Sequence, residues 1–182
     1  NPLWQTPIVP LLYLLSAVLM GYGVVLFESC LASAAYRREI ETHMLGPMAK
    51  VMLGMLGVYL VVRVGDLTVR GAWGNAFSFG LVAIFFWIEM ILFCLPFALV
   101  GTVDARRNPA RLFLGGAAIM LAGSLLRLNG YLIGYDTGPG WHYFPSIPEL
   151  FVTFGMTAVA VLGFIVVTRL FPVLPREEAS AN

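Results

Sequence analysis

Glu89, Arg63, Asp66 and Arg127 lie inside stretches of sequence that are otherwise apolar enough to cross a bilayer, and Glu28 lies near the end of another. An ionised side chain in lipid costs about 3 kcal/mol on insertion scales. Such residues serve charge movement, ligand binding or a structural ion pair, and a passive apolar anchor has no need of them. Arg63 and Asp66 are three residues apart, which places them on one helix face, so an ion pair between them is expected. Glu89 sits in Phe85-Phe86-Trp87-Ile88-Glu89-Met90-Ile91-Leu92, with no basic residue within one helical turn. It is expected to be protonated or to meet a base from a neighbouring helix, Arg63 or Arg127. Either state suits a proton relay, and Glu89, Asp66, Arg63, Arg127 and Glu28 are the candidates for a proton pathway. Glu28, at the edge of its span, is also placed to snorkel to the interface. Glu149 follows Pro148 at a helix start, where a carboxylate suits the macrodipole.

The elements that must position these groups are membrane helices. The 182 residues are 59% hydrophobic and 12% charged, half the charged fraction of a soluble domain, about 25%. A helix needs about 20 apolar residues to cross the hydrocarbon layer. Five stretches qualify: roughly 8–31, 51–69, 79–100, 112–132 and 150–171. They are continuous rather than alternating, which excludes a transmembrane barrel. The expected fold is therefore an all-α integral membrane protein. It would be an antiparallel four-helix bundle plus one further helix, in a single transmembrane domain over residues 1–182. Asn108-Pro109 reads as an N-cap followed by proline at the first helical position, where the missing N–H costs nothing. Gly54, Gly57, Gly115, Gly116, Ala117, Ala118, Ala122 and Gly123 are small residues that let helix backbones approach closely.

Lysine and arginine set the orientation. Arg37, Arg38, Lys50, Arg106, Arg107, Arg111, Arg169 and Arg176 fall on one side, and Arg70 on the other. The N-terminus is thus expected outside (periplasmic) and the C-terminus in the cytoplasm, in the inner (plasma) membrane. Arg63, Asp66 and Arg127 then fall in the outer third of the bilayer, Glu89 near its middle and Glu28 at its inner boundary. The chain begins at Asn1, as a processed chain or part of a longer product would, and no signal peptide is expected in it.

Several chemistries lack their residues. Cys30 and Cys94, the two cysteines, have neither metal-ligand spacing nor the pattern of a disulfide framework. No iron–sulfur cysteine set is present, and no phosphate-binding loop or nucleophile elbow. Both histidines, His43 and His142, fall in expected loops, so no intramembrane haem is expected on this chain alone, and no metal. No catalytic residue is assigned, and no nucleic acid is an expected partner. Trp141, His142 and Tyr143 form an aromatic outer loop that would rest at the membrane interface or dock a partner protein.

Motifs along the chain resemble a known family. Asn1-Pro2-Leu3-Trp4-Gln5-Thr6-Pro7 leads into the first span, which carries Met20-Gly21-Tyr22-Gly23 and Phe27-Glu28-Ser29. Arg63-Val64-Gly65-Asp66-Leu67, Phe86-Trp87-Ile88-Glu89 and Tyr143-Phe144-Pro145-Ser146-Ile147-Pro148-Glu149-Leu150 follow in order. Together they resemble the polysulfide-reductase (NrfD/PsrC-type) membrane subunits, most closely the HybB-like integral membrane subunit of quinone-coupled nickel–iron hydrogenases. The resemblance implies eight to ten spans in two bundles, without haem. It also implies electron exchange between an outer, ferredoxin-like iron–sulfur subunit and membrane quinone, menaquinone or ubiquinone, coupled in some members to proton movement. This chain resembles the C-terminal half, so an N-terminal membrane half and hydrogenase-type catalytic subunits are expected partners, with the lipid bilayer and quinone. The family's quinone pocket belongs to the other half, so no cofactor-binding residue carries over to this chain. The resemblance places Asp66 at a position where relatives can carry Glu. The reading that follows is a membrane subunit of a quinone-linked respiratory oxidoreductase, non-catalytic or quinone-handling. The alternatives are a purely structural membrane anchor and, third, a fragment of a secondary transporter.

Overall fold

The computed structural model describes residues 2–35, 40–78, 80–133 and 146–170, and every described element is helical. The chain divides into two compact units, residues 1–138 and 139–182. The first holds α1 (Val9–Ala35), α2 (Thr42–Val69), the short α3 (Trp73–Ala76), α4 (Leu81–Val100) and α5 (Pro109–Leu128). A 3-10 turn, Ala105–Arg107, precedes α5, and a π-helical turn, Asn129–Ile133, continues it. The second unit holds α6 (Ile147–Leu170), where the Ser146 N–H donates to the Glu149 carboxylate at 3.2 Å.

In the first unit four helices, α1, α2, α4 and the α5 stretch Pro109–Leu132, are long and apolar enough to cross a membrane. The chain is thus a multi-pass membrane protein. α5 packs chiefly against α1 and α4, and α1 also against α2. Residue pairings fix the directions. Tyr13 lies by Arg127 and Phe27 by Phe113, so α1 and α5 are antiparallel. Tyr59 meets Phe93 and Arg63 lies over Phe86, so α2 and α4 are antiparallel as well.

Each long helix is apolar on all sides, which suits a lipid setting rather than a water-facing one. Its inner stripe is set by helical spacing: Leu12, Leu19 and Leu26 on α1, Met52, Leu56, Tyr59 and Arg63 on α2, Phe86, Glu89 and Phe93 on α4, all buried. Its outer stripe is equally greasy; Val61 is 73% exposed and Val69 89%. Four-sided hydrophobicity with only one side buried is what a bilayer stabilises.

Small residues act at one crossing. A Cβ on Gly116 would lie 2.7 Å from the Gly23 carbonyl oxygen and 3.0 Å from the Phe27 nitrogen, so α1 and α5 meet backbone to backbone. Gly54 and Gly57 do not act this way, because nothing lies within 4 Å of a Cβ at either. The expected cap at Asn108 forms: its side chain accepts from the N–H groups of Ala110 (3.0 Å) and Arg111 (3.3 Å), with Pro109 in the first turn.

Helix boundaries depart from expectation most in α2. It starts at Thr42, nine residues before the apolar run, and passes through Pro47. The chain around His43 and Lys50 is polar enough to read as a loop, yet Leu45, Ala49 and Met52 already point into the core. The fifth expected stretch, 150–171, overlaps the helix α6, 24 residues long, which is not among the four membrane-crossing helices of the described residues.

Candidate functional site

Glu89 is placed by its position on the inner stripe of α4, eight residues or about 12 Å in from the helix start, and is fully buried. One carboxylate oxygen, Oε2, accepts from the indole Nε1 of Trp4 at 2.9 Å and from the amide Nδ2 of Asn129 at 2.7 Å. The other, Oε1, faces Arg63 Nη2 at 3.5 Å. Arg63 is 1% exposed and Asn129 fully buried. A buried charge must be paired and hydrogen-bonded to be tolerated, and this carboxylate meets three donors from three parts of the chain. The N-terminal segment gives Trp4, α2 gives Arg63, and the π-helical turn after α5 gives Asn129. Of the two bases expected to meet Glu89, Arg63 is the partner.

The surroundings are aromatic. The Arg63 guanidinium carbon lies 5.8 Å from the Phe86 ring centroid, and Trp4 meets Phe86 edge-on at 6.3 Å. Asn129 Nδ2 also reaches the Phe85 carbonyl at 3.3 Å. Three buried polar atoms make no hydrogen bond among the described residues: Arg63 Nε, Tyr59 OH and Asn129 Oδ1. Tyr59 precedes Arg63 by one helical turn on the inner stripe of α2, so two of these atoms belong to one face.

The expected Arg63–Asp66 pair does not form. Arg63 turns inward to Glu89, whereas Asp66 pairs with Arg70, one turn further along α2, and accepts from Arg70 Nε at 3.0 Å. Residues three and four apart are both neighbours on a helix; the choice falls to tertiary contacts. Thr6 donates to Asp66 Oδ1 at 2.6 Å, and Arg70 Nη1 donates to the carbonyls of Pro2 (2.6 Å) and Gln5 (3.1 Å). Asp66 and Arg70 thus fasten the N-terminal segment, whose Trp4 reaches Glu89.

Arg127 stands apart from both pairs. Its Nη1 donates to the Gly123 carbonyl at 2.8 Å and touches Met20 Sδ at 3.0 Å, and its guanidinium carbon lies 5.9 Å from the Tyr13 ring centroid. The expected grouping of Arg63, Asp66 and Arg127 is therefore three separate arrangements. Glu28 is exposed on α1 and joins none of them. Trp141, His142 and Tyr143 lie outside the described residues.

Sequence reasoning missed the part played by Trp4, Asn129, Thr6 and Tyr59, and used Arg70 only to set the orientation. Neutral polar residues at the ends of apolar runs draw less notice than charges. The signal was present, since a buried indole N–H or carboxamide must find a partner, and Glu89 lacked partners on its own helix.

Antiparallel apolar helices closed around a hydrogen-bonded carboxylate–guanidinium pair define a polytopic membrane protein with ionisable groups held inside the bundle. The chain belongs to the NrfD family: the family described as polysulphide reductase, NrfD, matches residues 1–136. It is similar to the probable Ni/Fe-hydrogenase 2 b-type cytochrome subunit of Escherichia coli (strain K12), with 32% identity over 178 residues. That alignment covers 96% of this chain and 45% of the relative, so the chain spans less than half the relative's length. No solved structure matches the chain.

The relative's name corrects one expectation. A b-type cytochrome subunit is named for haem, so the expectation that no haem is bound does not stand. The described residues nevertheless do not form a bis-histidine site. His43 is the one histidine among them, and it is exposed in the first turn of α2, beyond the core.

Proposed function

We propose that this chain is part of the membrane subunit of a quinone-linked oxidoreductase complex of the hydrogenase type. In this reading an iron–sulfur subunit passes electrons to membrane quinone, and hydrogenase-type catalytic subunits supply them. The chain itself contributes a helix bundle with a proton-handling group at its centre. Family membership and the hydrogenase-subunit relative support the assembly. α6, long enough to be a fifth span, belongs to the same reading, as does the placement in the inner membrane. Lys50, Arg106, Arg107 and Arg111 cluster at one end of the bundle and Arg70 lies at the other, which favours a periplasmic N-terminus and a cytoplasmic C-terminus.

The observation that carries the proton reading is Glu89: a carboxylate fully buried at membrane depth, beside a guanidinium, with unpartnered Arg63 Nε, Tyr59 OH and Asn129 Oδ1 around it. Polar atoms of this kind, clustered in a bundle, are where a protein holds internal water. Water there would give Glu89 neighbours with which to exchange a proton. Carboxylates in such positions mark proton relays in pumps and transporters.

A second reading rests on the same contacts. Because Trp4, Arg63 and Asn129 come from separate segments, Glu89 can act as a structural tie that fixes how they pack. One experiment separates the two. Glu89→Gln, alone and combined with Arg63→Met, is introduced into the intact complex, and hydrogen-driven quinone reduction and proton uptake are measured. The double variant removes the charge pair together and is expected to assemble. Under the relay reading it loses proton uptake although assembled; wild-type rates of both processes in it refute that reading and leave the structural tie.

A further inference from the structure

The end of the bundle opposite Glu89 carries a second polar feature. α2 and the Ala105–Arg107 turn wall a groove of about 560 Å³, where Lys50, Arg106, Arg107 and His43 meet apolar Pro47 and Val103. Lys50 lies thirteen residues, about 20 Å, along α2 from Arg63, so this groove is separate from the Glu89 network. Among the described residues no acid lines it; Glu41 and Asp104 are outside the lining.

The groove is built rather than incidental. Arg106 Nη1 donates to the carbonyls of Val100 (3.2 Å) and Gly101 (3.1 Å), which fixes that cation at the C-terminal end of α4. The turn packs against α2 at Gly46, where a Cβ would sit in ordinary contact with Arg106 Cβ at 3.8 Å. No side chain caps the first turn of α2, so the positive end of its dipole opens beside Thr42 and His43. These features together favour an anion.

We propose that this groove binds the phosphodiester headgroup of an anionic phospholipid from the leaflet at this end of the bundle. Basic pockets between membrane helices are suited to such headgroups. The lining is amphipathic, and it runs from Thr42 to Lys50, about 12 Å along the helix. Apolar surface continues from it through Met44, 57% exposed, and Val51, 50% exposed. A free phosphate would use the cations alone; a phospholipid also covers Pro47, Val103 and the apolar surface beyond. The assignment does not depend on the quinone-linked reading.

The test is native mass spectrometry of the detergent-purified full complex, titrated with dioleoylphosphatidylglycerol and, separately, dioleoylphosphatidylcholine. Each surface cation contributes about fivefold to anionic-lipid affinity, so Lys50→Ala with Arg107→Ala is expected to weaken phosphatidylglycerol binding about 25-fold and leave phosphatidylcholine unchanged. Lys50→Arg with Arg107→Lys is expected to bind as wild type. Unchanged phosphatidylglycerol affinity in the alanine variant, or an equal loss for both lipids, overturns the proposal. Displacement of phosphatidylglycerol by millimolar inorganic phosphate overturns the lipid assignment in favour of a free anion. Should the alanine variant fail to assemble, the wild-type complex at low and high salt decides. A preference for phosphatidylglycerol that fades with salt supports the site, and a salt-independent one refutes it.

Discussion

Breaking the Arg63–Glu89 pair from one side is expected to cost far more than removing it whole. At the observed separation of 3.5 Å, two unit charges at an effective dielectric of about 20 attract by about 5 kcal/mol. Against this stands the desolvation of both ions, so the pair's net contribution is small, whereas a lone survivor carries its desolvation uncompensated. Glu89→Gln leaves the Arg63 guanidinium buried without a counter-ion and is expected to destabilise by about 3–5 kcal/mol. Arg63→Met leaves a carboxylate that still accepts from Trp4 and Asn129, so its cost falls at the lower end, about 2–3 kcal/mol. The double variant keeps a carboxamide for those two donors and is expected within about 1 kcal/mol of wild type, a coupling of at least about 4 kcal/mol. The assay is unfolding of the purified protein in mixed micelles, followed by tryptophan fluorescence, to which Trp4 on Glu89 contributes directly. If the double variant is destabilised by the sum of the singles, the two side chains do not act as a pair and the reasoning fails.

Other perturbations have definite expected outcomes. Gly116→Ala places a methyl 2.7 Å from the Gly23 carbonyl oxygen and is expected to destabilise by about 1–3 kcal/mol, read as a lower midpoint in the same unfolding assay. Gly57→Ala, with open space around its Cβ, is expected to be neutral or to stabilise by up to about 1 kcal/mol, and a loss there would contradict the packing described. Asn108→Ala removes both capping hydrogen bonds of α5 and is expected to cost about 1 kcal/mol. Arg70→Ala frees the carbonyls of Pro2 and Gln5 and is expected to speed proteolysis of the N-terminal segment and red-shift Trp4 emission.

Much of the scaffold was legible because lipid imposes a simple rule. Long apolar runs must be helices, and the runs at α1, α4 and α5 lie within a few residues of the helices found. Asn108 and Pro109 announced the start of α5 through local chemistry alone. The α2 boundary was not legible, because a helix stabilised by core contacts of Leu45 and Ala49 continues past a proline and into polar sequence. Within the site, the need of Glu89 for a partner could be read, since a charge at that depth requires one. The identity of its other donors could not. Trp4 and Asn129 lie 85 and 40 residues away, and only the bundle's topology brings them together. Asp66 had two candidate bases on its own helix, Arg63 and Arg70, and contacts to residues 2–6 decide between them.

The short stretch ahead of α1 links the surface to the interior. It is clasped by Arg70 and Asp66 at the rim and ends, through Trp4, on the acid at the heart of the bundle. Displacing that strap by little more than one ångström would strip the indole from Glu89 and alter how firmly the acid is held. A push or pull on a few residues at the edge of the protein is therefore felt by a side chain about 12 Å down a helix, with no helix having to move.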